Sequence, residues 1–492
     1  GDLSGNDAVT GTFPSLTYSN YAENAYHVVY TKNIGTTTVL DGFTITGGNA
    51  DGNNQNRYGA GWYNIAEGDN TTSSLTIRNA KFHRNRISGT LALGAGMYNE
   101  GLSNGTNTSL TLSDVTFNQN IGEYTAATAD IYGIGLYNSV SVYAGSSPSV
   151  INQTSNLNLT RVTFTQNQGS VTTGRVQGGG LFNATSGSGG RANITMNQTT
   201  FSENRISGEN NCLGGGLFNN AGVGSATLSF TRCNFIKNYC QVGLNQVAQG
   251  GAIWNRAENN GSMANSSLIH CTFSENQVEA NYPRGGAIFQ TASGPNAQAL
   301  FTANNTIFYK NEVNAITHPF ASPQGGAIGL EALNGTSNAN ATITNCSFIE
   351  NTTAGTGASP GTPGGAVFYI QARNADDNAN VTIRNSIIWG NRAQGTTSNF
   401  ILNPNSGTPG STNLTFEHTL SENFTTSITV INGLANTNAT TSNITGTDPL
   451  LTNTATGDLT LQATSPVIDQ GNNSFDPGTE DLAGNLRIQN CR

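Results

Sequence analysis

Nine times along this 492-residue chain a glycine-led hydrophobic run is followed, roughly 20 residues on, by a large apolar residue and then an asparagine three places later. The first half of the unit reads GAGWYN at 59, GAGMYN at 94, GIGLYN at 133, GGGLFN at 178 and 214, GGAIWN at 250, GGAIFQ at 285, GGAIGL at 325 and GGAVFY at 364. The second half reads FHRN at 82, FNQN at 117, FTQN at 164, FSEN at 201, FIKN at 235, FSEN at 273, FYKN at 308, FIEN at 348 and IWGN at 388. First glycines recur at intervals of 35, 39, 45, 36, 36, 35, 40 and 39 residues. Fixed motifs at elastic spacing describe a solenoid: one coil of backbone per unit, with connections of varying length. Function in such a chain is read from surfaces rather than from one pocket.

Within a unit the alternation is of strand type. In SLTIRNAKF, Leu75 and Ile77 alternate with Thr76 and Arg78, and the apolar set resumes at Ala80 and Phe82 after a change of phase at Asn79. That change fits a corner between two short strands facing one core. SLTLSDVTF, NLNLTRVTF, TLSFTRCNF and VTIRNSII repeat the layout, and the GGGLFN run supplies a third strand. With 60 glycines and 10% charged residues, long helices are not expected. The expected fold is all-β: a right-handed parallel β-helix of about 11 to 13 coils spanning 1–447, closed by a capping segment at 448–492.

Such a fold gives the asparagines a task. Asn85, Asn120, Asn167, Asn204, Asn238, Asn276, Asn311, Asn351 and Asn391 fall above one another at a corner. Their amides are expected to hydrogen-bond up the column and their backbones to accept left-handed geometry. Phe82, Phe117, Phe164, Phe201, Phe235, Phe273, Phe308 and Phe348 are expected to stack as a buried column.

The pairing of GGAI with FxxN resembles the repeats of chlamydial polymorphic outer-membrane proteins and of bacterial surface proteins with a right-handed, pectin-lyase-like β-helix. The opening YHVVYTKNIGTTTVLDGFTITGGNADG (26–52) is similar to the first segment of such proteins in Bacteroidota. The stretch DPLLTNTATGDLTLQATSPVIDQGNNSFDPGTEDLAGNLRIQN (448–490) is similar to the tail that precedes their anchoring or sorting domains. The resemblance implies an exported, surface-attached protein, often an adhesin. No signal peptide and no 18-residue apolar run are seen, so a mature portion of a longer protein is expected, its anchor outside the sequence.

A net charge of −9 and a pI near 5.0 disfavour a nucleic-acid partner, which requires a basic stripe. Six cysteines do not make a small-protein disulfide framework. Cys233, Cys271 and Cys346 each precede the coil's Phe by two and are read as buried, inert thiols. Cys212 and Cys240 sit near one corner on successive coils, where a bridge is an alternative, and Cys491 lies beyond the helix. No CxxC suggests zinc.

Three kinds of site were weighed on the residues. Pectate lyases and many glycoside hydrolases use this fold and need facing carboxylates. Glu203 and Glu275, two coils apart, and the adjacent Asp376 and Asp377 are the candidates, all read here as solvated surface. His27, His83, His270, His318 and His418 occupy unrelated phases. Asp469, Asn472, Asp476, Glu480 and Asp481 gather hard oxygen ligands on a turn-rich stretch suited to structural calcium, with a lesser candidate at Asp51. Thr76, Thr111, Ser113, Asn158, Thr160, Thr195, Ser229, Thr231, Thr342, Thr344 and Thr382 line one outward strand face, as in ice or polysaccharide binders, though Arg78, His270 and Arg384 are expected to interrupt it.

The reading favoured by these features is a non-enzymatic, exported cell-surface rod, an adhesin or stalk presenting loops to a receptor, a glycan or a neighbouring surface protein. Loop candidates are 122–132, 143–156, 314–324, 352–363 and 372–380. A β-helical lyase or glycoside hydrolase is the alternative, and the Thr-face binder a second one. The closing segment, with Leu450, Leu451, Leu459, Leu461, Val467 and Ile468, is expected to pack across or continue the last coil and shield Trp389, Ile401 and Phe416.

Overall fold

A computed structural model of the chain describes residues 1–141, 153–186, 189–243, 246–316, 323–355, 364–393, 398–404, 410–424, 428–430, 435–439, 442–475 and 480–485. One coil shows how the sequence is used. Leu217–Ala221 and Gly224–Thr231 form two walls, with Leu217, Ala226, Leu228 and Phe230 turned inward. At Arg232 the backbone takes φ 53°, which shifts the inward phase by one so that Cys233 and Phe235 rejoin the core. Asn79, Asp114, Arg161, Gln198, His270, Asn305, Asn345, Asn385 and His418 repeat that left-handed corner. This is the phase change visible at Asn79 in the sequence.

Every coil pairs in parallel register with the next, and one wall alone contains 12 strands. The molecule is thus an all-β parallel β-helix, a solenoid of about 10 turns. That is close to the 11 to 13 coils expected, and both ends leave the coil path. Ala8–Thr10 pairs antiparallel with Thr17–Ser19, and Leu451–Asn453 with Asp458–Leu461. Within the described residues, 3-10 turns at Asn54–Arg57 and Thr454–Thr456 are the helical segments.

Coils hold more than the three strands expected. After the FxxN corner the chain runs outward as Tyr239–Val242 and returns as Val247–Gln249, and both stack on neighbouring coils. The two ribbons enclose a second core of small aliphatics, including Ile131, Val176, Ile206, Cys212, Cys240 and Ala248. Residues 122–132, expected as a contact loop, belong to the strand Ile121–Tyr132 of this lobe.

The phenylalanine column is present. Phe82 through Phe348 stack with ring centroids 4.6 to 5.1 Å apart. A second aromatic column, unread in the sequence, runs on the outer side of the GGGLFN strands: Tyr63, Tyr98, Tyr137, Phe182 and Phe218 stack 4.8 to 5.0 Å apart. Leu93, Tyr132 and Leu213, from the returning strands of the lobe, pack against it. That wall is buried on both faces.

The closing segment was expected across the last coil. Its described part runs back along the flank instead, over the left-handed corner column. Gln470 O faces His418 Nδ1 at 3.2 Å, Asn472 exchanges two bonds with Asn385, and the Glu480 carboxylate meets Arg232 at 2.7 Å. Polar side chains at the corners offer it more partners than the apolar end does, and Phe416 packs against Phe424. No helix among the described residues is long and apolar enough to cross a membrane.

Candidate binding groove and flat face

Each FxxN turn places its third residue in the left-handed region and its asparagine inside. Lys237, Glu275, Lys310 and Glu350 have φ of 51° to 55°. The left-handed residue is therefore the one before the ladder asparagine, not the asparagine itself as the sequence suggested. The amide then saturates the corner. Asn238 Oδ1 accepts from Asn204 Nδ2 at 2.9 Å and from the Asn204 backbone N–H at 3.3 Å, while Asn238 Nδ2 donates to Phe201 O and to Asn276 Oδ1, both at 2.9 Å. The same set repeats from Asn85 to Asn391.

With the asparagines inside, the residues on either side of them face out and meet at an angle. Across successive coils they form a groove of about 650 Å³, lined by Arg205, Lys237, Tyr239, Glu275, Gln277, Lys310, Glu312, Glu350 and Thr352. Lys237 lies 3.6 Å from Glu275, and Lys310 3.6 Å from Glu350. The Arg205 guanidinium sits 4.0 Å above the Tyr239 ring, whose hydroxyl donates to the Glu279 carboxylate. Burial pushes the Tyr239 hydroxyl upward, and the bond to Glu279 adds to it. A groove with donors, acceptors and one aromatic face, repeating at the coil spacing of ~4.8 Å, suits an extended polar chain.

The catalytic candidates separate. Glu203 accepts from Gln166 Nε2 at 2.7 Å, the last step of an outward run of bonds from Arg84 through Gln119. Glu275 is exposed, as expected of solvated surface, and it lines the groove together with Glu312 and Glu350. Asp377 is likewise no solvated loop residue. It is fully buried, and its carboxylate accepts from Ser337 N–H and Oγ and from Asn374 N–H and Nδ2, which clamps one turn to the next coil. Asp376 is exposed at φ 69°.

The threonine face is more regular than expected. Strand register places Thr76, Thr111, Asn158, Thr195, Ser229, Ser267, Thr302, Thr342, Thr382 and Thr415 in one column. Arg78, Ser113, Thr160, Asn197, Thr231, Ile269, Asn304, Thr344 and Arg384 form the adjacent column, and His270 lies at the corner beyond it. The interruptions expected on the sequence fall outside the first column.

Of the calcium candidates, Asp469 is exposed at φ 60°, Glu480 pairs with Arg232, and the Asp481 carboxylate accepts from Asn485 N–H and Nδ2. Asn472 Oδ1 accepts from Ser474, and Asp476 lies outside the described residues. Asp51 accepts from Asn49 Nδ2 at 2.9 Å. Cys212, Cys233, Cys240, Cys271 and Cys346 are buried free thiols, with Cys240 Sγ 2.7 Å from Cys212 O; Cys491 and His318 lie outside the described residues. Of the loop candidates, 372–380 is the tight turn clamped by Asp377, and 143–152, 317–322 and 356–363 are outside the described residues.

Comparison with family models, with curated proteins and with solved structures finds no match. The class is therefore the one the fold defines, a parallel β-solenoid with an internal asparagine ladder.

Proposed function

We propose that this chain is a non-enzymatic, exported cell-surface β-helix that acts as a stalk or adhesin and holds an extended polymer, a glycan or a peptide, along its side. The observation that carries this reading is the groove beside the asparagine ladder. Its lining comes from the same two positions of successive coils, with a different polar side chain at each, so a polymer gains contacts by multivalency along the rod rather than in one enclosed pocket. The test is a glycan and peptide array probed with the whole chain, repeated with Tyr239→Ala and Arg205→Ala. Binding lost in both variants supports the reading; retention in both removes it.

A lyase or glycoside hydrolase is the competing reading, favoured by Glu275, Glu312 and Glu350 lining one groove. Incubation with pectins, alginates and glycosaminoglycans separates the two. New reducing ends or unsaturated products that disappear in Glu275→Gln or Glu350→Gln replace the adhesin by an enzyme.

A further inference from the structure

We propose that the start of the chain holds a calcium ion, ligated by Asp2, Asp7 and Glu23 with Asn24 Oδ1 as a neutral fourth donor. The three carboxylates place oxygens within 4.8 Å of one another. Oxygens on opposite sides of one calcium ion, each at 2.3 to 2.6 Å, are about 4.6 to 5.2 Å apart. All the donors are hard oxygens, as calcium prefers, with no nitrogen or sulfur in the set.

The carboxylates are brought together by the fold. Asp2 accepts from the backbone N–H groups of Ser4, Gly5, Asn6 and Asp7, which curls the first loop around its side chain. Residues 21–25 are fixed beside that loop, since Ala25 N–H donates to Gly1 O and Asn49 Nδ2 to Tyr21 O. Asp7 Oδ2 lies against the backbone of Gly47, where an added Cβ would stand 3.1 Å from it.

Independent of the acidic set, Asn24 is 93% buried (7% exposed), and its Oδ1 has no hydrogen-bond partner. Its Nδ2 is 2.8 Å from Asp7 Oδ2. The two heteroatoms of an amide are about 2.2 Å apart, so Oδ1 lies within about 5 Å of that carboxylate. Asp7 Oδ1 and Glu23 Oε1 are also buried without partners. Three buried, unpartnered oxygens on neighbouring residues of one acidic set are costly unless a cation satisfies them. Burial pushes the Asp7 carboxyl up; the Asn24 amide opposes this, and the charges of Asp2 and Glu23 push the same way as burial.

This inference does not rest on the adhesin reading. Calcium chloride is titrated into the whole chain by calorimetry, and amide exchange is followed with and without 5 mM calcium. Expected is saturable binding with Kd of about 0.1 to 1 mM, as in extracellular calcium modules. Binding weakens at least tenfold in Asp7→Asn and in Glu23→Gln, which keep side-chain shape, and magnesium binds at least tenfold more weakly. Exchange slows within 1–25. The proposal is overturned by no saturable uptake up to 10 mM, by uptake unchanged in both variants, or by magnesium binding as tightly. Slowing confined to 469–481 overturns it too, because the ion then belongs to the closing segment.

Discussion

Two columns of buried asparagines stack along this rod, and they are not equivalent. The column at the FxxN corner keeps asparagine in nine coils, from Asn85 to Asn391. The other lies inside the GGGLFN wall: Asn64, Asn99, Asn138, Asn183, Asn219 and Asn255 bond in series at 2.6 to 2.7 Å, and Asn255 then donates to Gln290 Oε1 at 3.1 Å. Beyond Gln290 the same register holds Leu330, Ile370 and Leu402. The difference lies in the backbone. At the corner each amide satisfies an N–H and a C=O that no strand partner reaches, so nothing apolar can replace it. Inside the wall the ladder of strands already pairs the backbone; the amides bond chiefly to each other, and Asn183, Asn219 and Asn255 add longer bonds of 3.1 to 3.3 Å to Ala192 O, Ala226 O and Ala264 O.

The sharpest break of that comparison is Asn238→Leu. It strands the Asn204 backbone N–H, takes the amide donor from Phe201 O, and removes one of two bonds each from Asn204 Nδ2, which keeps Phe164 O, and Asn276 Oδ1, which keeps the backbone N–H of residue 238. With about 1 to 3 kcal/mol per buried unsatisfied group and partial relaxation, a loss of about 4 kcal/mol is expected. Because coils contact only their neighbours, the loss should be read as faster amide exchange around 201–240, not only as a lower Tm. Exchange like that of the wild type would end the claim that the corner column is obligatory.

The second column's wall is also expected to titrate. Glu100 follows Asn99, points to the outer side and is buried, which pushes its carboxyl up to about 7 although Ser141 Oγ donates to it at 2.6 Å. Its folded-state value lies above the unfolded one near 4.5, so its stabilising proton is fully held below pH 4.5 and is lost as pH rises to 7. At ~1.4 kcal/mol per pH unit this removes at most about 3 kcal/mol. Glu100→Gln keeps the bond from Ser141 and is expected to flatten chemical-denaturation stability between pH 4.5 and 8, with the gain at pH 8. An unchanged pH profile would locate the sensitivity elsewhere.

Asn219→Leu tests the second column in its middle. It removes the acceptor of Asn183 Nδ2 and the donor to Asn255 Oδ1 while leaving strand pairing intact. A loss of about 1 to 2 kcal/mol is expected, clearly below that of Asn238→Leu when both are measured by local exchange. Equal losses would make the two columns one kind of structure.

Why one column was legible and the other not follows from the same chemistry. Asn85 and its successors recur three residues after a Phe at a break in alternation, a position where only a side chain can finish the hydrogen bonding. Asn64 and its successors sit within strands, where asparagine is disfavoured, and the motif alone gives no reason for burial. The left-handed residue of each FxxN corner lies one place before the position expected because Lys237, Glu275 and Arg84 have no preference for that geometry; the stacked coils impose it. The lateral lobe was hidden by its small residues, such as Ala92 and Ala129, which read as loop. The groove depends on residues about 35 to 40 positions apart, and the acidic set at Asp2, Asp7 and Glu23 on a hairpin and a turn, so neither forms a local pattern.

The smallest effect is expected where the second column ends. Gln290 accepts from Asn255 Nδ2 at 3.1 Å and from Ser266 Oγ at 3.3 Å, yet its own Nε2 is buried without a partner. The next coil already places Leu330 in this register. Gln290→Leu therefore forfeits two long bonds but removes an unsatisfied donor and continues an apolar column, terms of similar size and opposite sign. Stability within about 1 kcal/mol of the wild type is expected by denaturant unfolding. A loss as large as that of Asn219→Leu would mean that the column is held at its end, through Gln290, rather than by each amide bonding to the next.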